Sequence, residues 1–101
     1  MLEKEIEAKC VKIARESGCL LLKLSPQYTP GLPDRLLVCA SGNYLLEFKR
    51  TGGKLSAVQN NMFRKITAAG GAAYVINSVE LFCEFLDYAQ GLPGPRDHFP
   101  I

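Results

Sequence analysis

The sequence predicts an α/β fold in which helices flank a mixed four-stranded sheet. Segments with helical apolar spacing alternate with short apolar runs that are typical of strands. Two of these runs, 34–40 and 44–50, lie on either side of a Ser-Gly-Asn turn and indicate a hairpin. The stretch 44–76 then reads strand, helix, strand, which predicts a right-handed parallel crossover. A chain of 101 residues, 48% of them hydrophobic, has room for one such domain.

The predicted elements follow the order α-β-β-β-α-β-α. The first helix ends at Gly18, where a C-cap glycine belongs, and the prolines of segment 25–33 make it a loop. Ser56 and Gln59 have the spacing of a capping box at the start of the second helix. Further prolines after residue 90 predict a domain at 1–90 and a flexible tail at 91–101. The predicted elements are a helix from Leu2 to Ser17, strands 19–24, 34–40 and 44–50, a helix from Ser56 to Ala69, a strand 72–76 and a helix 79–89.

The distribution of charge is more informative than the net charge of +2. Segment 47–65 carries five cations and one acid, whereas the charges of segment 79–88 are all acidic. One side of the domain is therefore suited to a polyanion such as DNA. The alternative is that both segments are ordinary charged helix surfaces.

The location of the protein is predicted from what the chain lacks. It has no apolar run of membrane length and no secretory signal at its start, so we expect no membrane partner. The four cysteines are scattered among apolar residues, which indicates reduced core thiols rather than a zinc site. We expect a cytoplasmic protein of a bacterium or of a phage-infected host cell.

Charged side chains converge at one end of the predicted hairpin. A two-residue loop at Ser41-Gly42 would place Asp34 opposite Lys49, with Glu47 on the same face of the sheet. Paired carboxylates suit Mg²⁺, and a lysine beside such an ion can orient water and offset charge on a phosphate. This set of groups is typical of phosphodiester hydrolysis. The alternative is a plain set of cross-strand ion pairs.

The residues around this cluster resemble a known nuclease family. Pro33-Asp34 with Glu47-Phe48-Lys49 resembles the Pro-Asp…(Asp/Glu)-x-Lys signature of the restriction-endonuclease-like superfamily. Segments 31–37 and 52–59 resemble the G-x-P-D-R and G-x-L-S-x-x-Q segments of the virus-type replication-repair nuclease (VRR-NUC) family. The resemblance covers residues 3–88 and implies an αβββαβ core, which matches the predicted order.

The resemblance implies a role for each residue of the cluster. Asp34, Glu47 and the carbonyl of Phe48 would bind Mg²⁺ or Mn²⁺, and Lys49 would position the attacking water. A glutamate of the first helix would complete the site, and we favour Glu7 over Glu3.

Other residues are candidates for positioning or for DNA contact. Gln59 can cap its helix and also act beside the active site, and Lys23 can contact phosphate or simply end its strand. Tyr28 can stack on a base, although packing under its loop is the expectation. The predicted DNA-binding residues are Lys23, Arg35, Arg50, Lys54 and Arg64.

These inferences predict a metal-dependent DNA endonuclease. The resemblance to small phage-type members implies a homodimer that acts on branched DNA such as Holliday junctions, because two copies present two cutting sites with twofold symmetry. The alternatives are a DNA-binding module without catalysis and an RNA-processing nuclease on the same fold.

Overall fold

A computed structural model describes residues 1–91 and confirms the predicted α/β fold class. Its four-stranded sheet has the order β1-β2-β3-β4, in which the first three strands are antiparallel and β3 and β4 are parallel. The predicted tail lies, apart from Gly91, outside the described residues. The elements are α1 (Glu3–Glu16), β1 (Leu20–Lys23), a short 3₁₀ helix (Pro26–Tyr28), β2 (Arg35–Cys39), β3 (Gly42–Phe48), α2 (Ala57–Ala68), β4 (Ala73–Ile76) and α3 (Val79–Ala89). No helix within residues 1–91 is long and apolar enough to cross a membrane.

The core lies between one face of the sheet and the helices α1 and α3. Alternate strand residues point to this face, because side chains along a strand alternate between its two sides. Burying a large apolar side chain contributes about 1.5–3 kcal/mol, so this layer holds the fold together. The buried residues are Ile6, Cys10 and Ala14 of α1, Leu21, Leu37, Leu46, Phe48 and Ile76 of the sheet, and Phe82, Phe85, Leu86 and Ala89 of α3.

Helix α2 lies over the other face of the sheet and is anchored mainly at its start. The predicted capping box is confirmed, because Ser56 Oγ accepts from the Gln59 N–H at 3.2 Å and Gln59 Oε1 accepts from the Ser56 N–H at 2.9 Å. No residue of α2 is buried, and Val58 in its first turn is 53% exposed. The apolar stripe of α2 therefore covers the sheet only in part.

The hairpin register differs from the prediction. Strand β2 pairs with β3 so that Arg35 lies opposite Leu46, which places Asp34 opposite Glu47 rather than Lys49. The turn falls at Ala40-Ser41, where Ser41 Oγ donates a hydrogen bond to the Ala89 carbonyl at the end of α3. This tertiary contact could not be read from the hairpin sequence.

The cysteines are free thiols, but one of them lies outside the core. Cys10 and Cys19 are buried as expected, Cys39 is half-buried, and Cys83 is exposed. The prediction was wrong for Cys83 because α3 turns Phe85 into the core, which rotates Cys83 toward solvent.

Candidate active site

Asp34 and Glu47 lie opposite each other at the ends of two adjacent strands. Glu47 alternates with the buried Leu46 and Phe48, so its side chain points to the sheet face that α2 covers. Asp34 Oδ1 accepts a hydrogen bond from the Phe48 N–H at 3.4 Å and so closes the end of the β2–β3 ladder. Local backbone geometry thus fixes both carboxylates in one place.

Both carboxylates are costly to ionise in this position. Burial and, second to it, the charge of Asp34 together raise the pKa of Glu47 to about 7 against the attraction of Lys49. Burial raises the pKa of Asp34 against the hydrogen bond from the Phe48 N–H, and the net value is about 6. Two like charges held together in a partly desolvated site favour a bound cation or a bound proton.

Lys49 and Gln59 converge on the same oxygen of Glu47. Lys49 Nζ lies 3.7 Å from Glu47 Oε2, and its side chain is only 18% exposed. Gln59 Nε2 donates to Glu47 Oε2 at 3.1 Å, while the other end of its amide caps α2. Gln59 therefore caps the helix and contacts the site at once, which ties the start of α2 to the carboxylate pair.

Two cavities open beside these residues. Asp34, Glu47 and Gln59 face a cavity of about 310 Å³ that the loop 26–32 and the start of α2 also line. Lys49 lies at a second cavity of about 410 Å³, whose lining carries two further cations and one acid. The second cavity is lined by Leu2, Glu3, Lys49, Arg50, Gly53 and Lys54. A basic surface thus adjoins the carboxylates.

Gly31 fixes the loop that borders the first cavity, and sequence reasoning gave it no role of its own. Its φ is 81°, and a Cβ at this position would lie 2.5 Å from the Val58 carbonyl oxygen. Only glycine permits this backbone contact between the loop and the first turn of α2. The G-x-P-D segment was the available signal, since a glycine just before a functional residue indicates close backbone approach.

Glu7 is engaged by two cations on the core side of the sheet. Arg35 Nε donates to Glu7 Oε2 at 2.6 Å, and Lys23 Nζ donates to the same oxygen at 3.3 Å. Burial alone would raise the pKa of Glu7, but the hydrogen bonds and charges of Arg35 and Lys23 outweigh it and lower the pKa below 4.5. Arg35 also donates to the Leu21 carbonyl at 3.2 Å. Glu7 thus forms a buried ion pair at the end of β1 and β2.

Glu3 lies one turn before Glu7 and closer to the basic cavity. It is half-buried, lines that cavity beside Lys49, and raises the pKa of both Glu47 and Asp34. Within residues 1–91 no hydrogen bond or ion pair holds its carboxylate. The structure therefore gives the two helix glutamates different surroundings.

The predicted DNA-binding residues fall into three places. Arg50 and Lys54 are exposed around the cavity beside Lys49. Arg64 is exposed further along α2. Lys23 is 63% exposed, whereas Arg35 is 16% exposed and already contacts Glu7. A DNA contact by Arg35 stays a prediction.

The donor set fits a hard divalent cation with few protein ligands. Within residues 1–91 no group of three acidic, cysteine or histidine side chains converges as a ready metal cage. Mg²⁺ commonly binds through one or two carboxylates and keeps several waters, which the Asp34–Glu47 pair can satisfy. Burial and the nearby like charges raise the pKa values of both carboxylates, and a bound cation would oppose this rise.

The sheet order, the flanking helices and the paired carboxylates at the strand ends define the class of fold, an α/β domain with a mixed four-stranded sheet. Among solved structures the chain is similar to one described as a VRR_NUC domain, with a TM-score of 0.75 and 20% sequence identity over 85% of this chain and 95% of that chain. No protein-family model matches the sequence, and no curated protein matches it. The chain therefore has the fold of a VRR_NUC nuclease domain, and the resemblance predicted from sequence is confirmed for the fold.

Proposed function

We propose that this protein is a divalent-metal-dependent endonuclease that hydrolyses phosphodiester bonds in DNA. The observation that carries the proposal is the pair of carboxylates, Asp34 and Glu47, opposite each other with Lys49 beside them. A plain cross-strand ion pair would instead place Lys49 opposite Asp34, and the two carboxylates would then not face and repel each other. The nuclease fold is the second support.

Each side chain has a distinct task in this proposal. Asp34, Glu47 and the carbonyl of Phe48 hold Mg²⁺ or Mn²⁺, which would supply an activated water and neutralise charge on the phosphate. Lys49 orients the attacking water and offsets charge that grows in the transition state. Gln59 holds Glu47 in place through its amide N–H, so that the carboxylate keeps one orientation.

We assign the third carboxylate of the site to Glu3 in preference to Glu7. The Glu7 oxygen that faces the sheet is already shared by Arg35 and Lys23. Glu3 lies beside Lys49 and influences both carboxylates of the pair. Glu3→Gln should therefore slow cleavage and leave the melting temperature unchanged, whereas Glu7→Gln should lower the melting temperature.

Branched DNA, such as a four-way junction, is the proposed substrate and a homodimer is the proposed form. Arg50, Lys54 and Arg64 are exposed cations that can contact phosphates outside the cutting site. Leu20 and Leu22 of the edge strand β1 are 57% and 44% exposed, so this strand is where we expect the second copy. Free thiols suit a reducing cytoplasm as the location.

The test is a cleavage assay of the purified full chain on matched nucleic acids. A four-way junction, a flap, a linear duplex and a single-stranded RNA are each incubated with Mg²⁺, with Mn²⁺ or with excess EDTA. We expect cleavage of branched DNA that requires the ion and that Asp34→Asn abolishes, with Glu16→Gln as an exposed carboxylate control. Cleavage in EDTA, or an active Asp34→Asn variant, would refute the proposal. Cleavage of the RNA but of none of the DNA substrates would show that the substrate is RNA and not DNA.

A further inference from the structure

Tyr28 stands apart from the other tyrosines of the chain. Its side chain is 87% exposed, although the sequence favoured its packing under the loop. Tyr44, Tyr74 and Tyr88 instead surround the buried ring of Phe85, with ring centroids 4.8–5.8 Å away. The exposed ring takes no part in the core and is accessible to a ligand.

The loop that carries Tyr28 is well anchored. The Thr29 N–H donates to the Pro26 carbonyl at 3.2 Å and closes the 3₁₀ turn that contains the tyrosine. Three residues later, Gly31 contacts the Val58 carbonyl so closely that no side chain would fit. The ring is therefore held on a fixed support rather than on a loose loop.

The same loop forms one wall of the carboxylate cavity. Pro26, Gly31 and Leu32 line this cavity together with Asp34 and Glu47. Tyr28 lies between these lining residues in the chain, so it belongs to the loop that borders the cavity. A group bound at the carboxylates would have its neighbouring part beside this loop.

We propose that Tyr28 stacks on an unpaired nucleobase next to the phosphate that is cut, and so selects DNA with an unpaired base at that place. This inference rests on the proposed nuclease function and names its substrate class more narrowly. Every base has an aromatic face, so stacking works without sequence preference. A base in intact duplex is stacked on its neighbours and is not available to the ring without extrusion.

The expected effect follows from the strength of such stacking. One base on one aromatic side chain changes affinity by about 5- to 150-fold. Tyr28→Ala should therefore bind a flap more weakly by this factor and bind intact duplex as tightly as the wild type does. Tyr28→Phe retains the ring and should behave as the wild type.

The test measures binding without cleavage, in EDTA. The probes are a DNA flap with 2-aminopurine as the first unpaired base and a fully paired duplex of the same sequence with the same label. Dissociation constants come from anisotropy, and quenching of 2-aminopurine reports stacking directly. Glu16→Ala serves as the control, because it truncates an exposed side chain at the end of α1, outside the proposed site and dimer contact.

We expect the wild type and Tyr28→Phe to quench 2-aminopurine in the flap and to bind the flap more tightly than the duplex. Tyr28→Ala should lose the quenching and at least about fivefold in flap affinity, with duplex affinity unchanged. An equal loss on both probes, or no loss at all, would overturn the proposal, and the latter would point to a protein partner for this ring.

A parallel cleavage assay with Mg²⁺ separates the two proposals. If the wild type cuts branched DNA but Tyr28→Ala binds the flap normally, only the stacking proposal fails. If the wild type cuts nothing and yet shows the stacking contrast, only the nuclease proposal fails.

Discussion

Replacing Arg35 by alanine should destabilise the protein strongly, because it strands a buried carboxylate. Arg35 and Glu7 are 16% and 11% exposed in their side chains, and their atoms lie 2.6 Å apart. Removing one partner of a buried ion pair costs about 3–5 kcal/mol. Since Lys23 still contacts Glu7 at 3.3 Å, we expect the lower end, about 3 kcal/mol. For a domain of this size that corresponds to a fall of about 12–24 °C in melting temperature.

The assay is urea unfolding of four proteins, namely wild type, Arg35→Ala, Glu7→Gln and the double variant. Glu7→Gln keeps the shape and removes the charge, so the double variant should be more stable than Arg35→Ala alone. The coupling free energy from this cycle should reach about 1–3 kcal/mol. The matched control is Arg15→Ala, which removes an exposed arginine of α1.

The pH dependence provides a second readout of the same pair. Because the folded pKa of Glu7 is held below 4.5, the ion pair stabilises the protein fully above that pH. The stabilisation by the ion pair is lost as the pH falls through the lowered pKa that Glu7 has in the folded protein. An Arg35→Ala protein as stable as the wild type at pH 7 would show that Glu7 is solvated and that the pair does not hold the strand ends.

Three further predictions concern the candidate site. Lys49→Ala should fold and bind branched DNA normally but cut at least about a hundredfold more slowly in single-turnover assays, with Lys12→Ala, an exposed lysine of α1, as the control, and normal cleavage would refute the role of Lys49. In EDTA, Glu47→Gln should be more stable than the wild type above pH 7, by on the order of 3 kcal/mol. The pKa of Glu47 is about 7 in the folded protein and 4.5 in the unfolded chain, so the wild type loses stability as the pH rises from 4.5 to 7. Thermal melts at pH 4 and pH 8 check this, and an equal difference at both would contradict it. Lys54→Glu should weaken binding of all DNA alike and reduce the salt dependence of affinity, which filter binding at several salt concentrations measures.

Local signals were enough to predict the order of the elements. Gly18 ends α1 with a φ of 77°, and Ser56 with Gln59 begins α2, because these features depend on neighbours within a few residues. The extent of burial was less predictable. The apolar spacing of α2 predicted the helix but not its burial, and Val58 is 53% exposed, because burial depends on how closely a helix lies on the sheet.

Contacts between distant segments set the features that the sequence could not predict. The hydrogen bond from Ser41 to the Ala89 carbonyl joins residues 48 positions apart at the turn of the hairpin. The ion pair of Glu7 with Arg35 joins residues 28 positions apart, and spacing within the first helix gives no sign of it. Helix periodicity could place Glu3 and Glu7 on one face but could not say which of them a cation already holds.

The register difference strengthens the case for a metal. A shift of two residues keeps every side chain on its predicted face, because strand side chains alternate with period two, and Asp34 and Glu47 stay together. What changes is the partner of Asp34, which is a glutamate and not a lysine. Like charges directly opposite each other across two strands are destabilising, whereas an aspartate–lysine pair would stabilise the strand end. The observed register therefore replaces a self-sufficient ion pair by an anionic pair, whose repulsion either the proposed divalent cation or a proton would relieve.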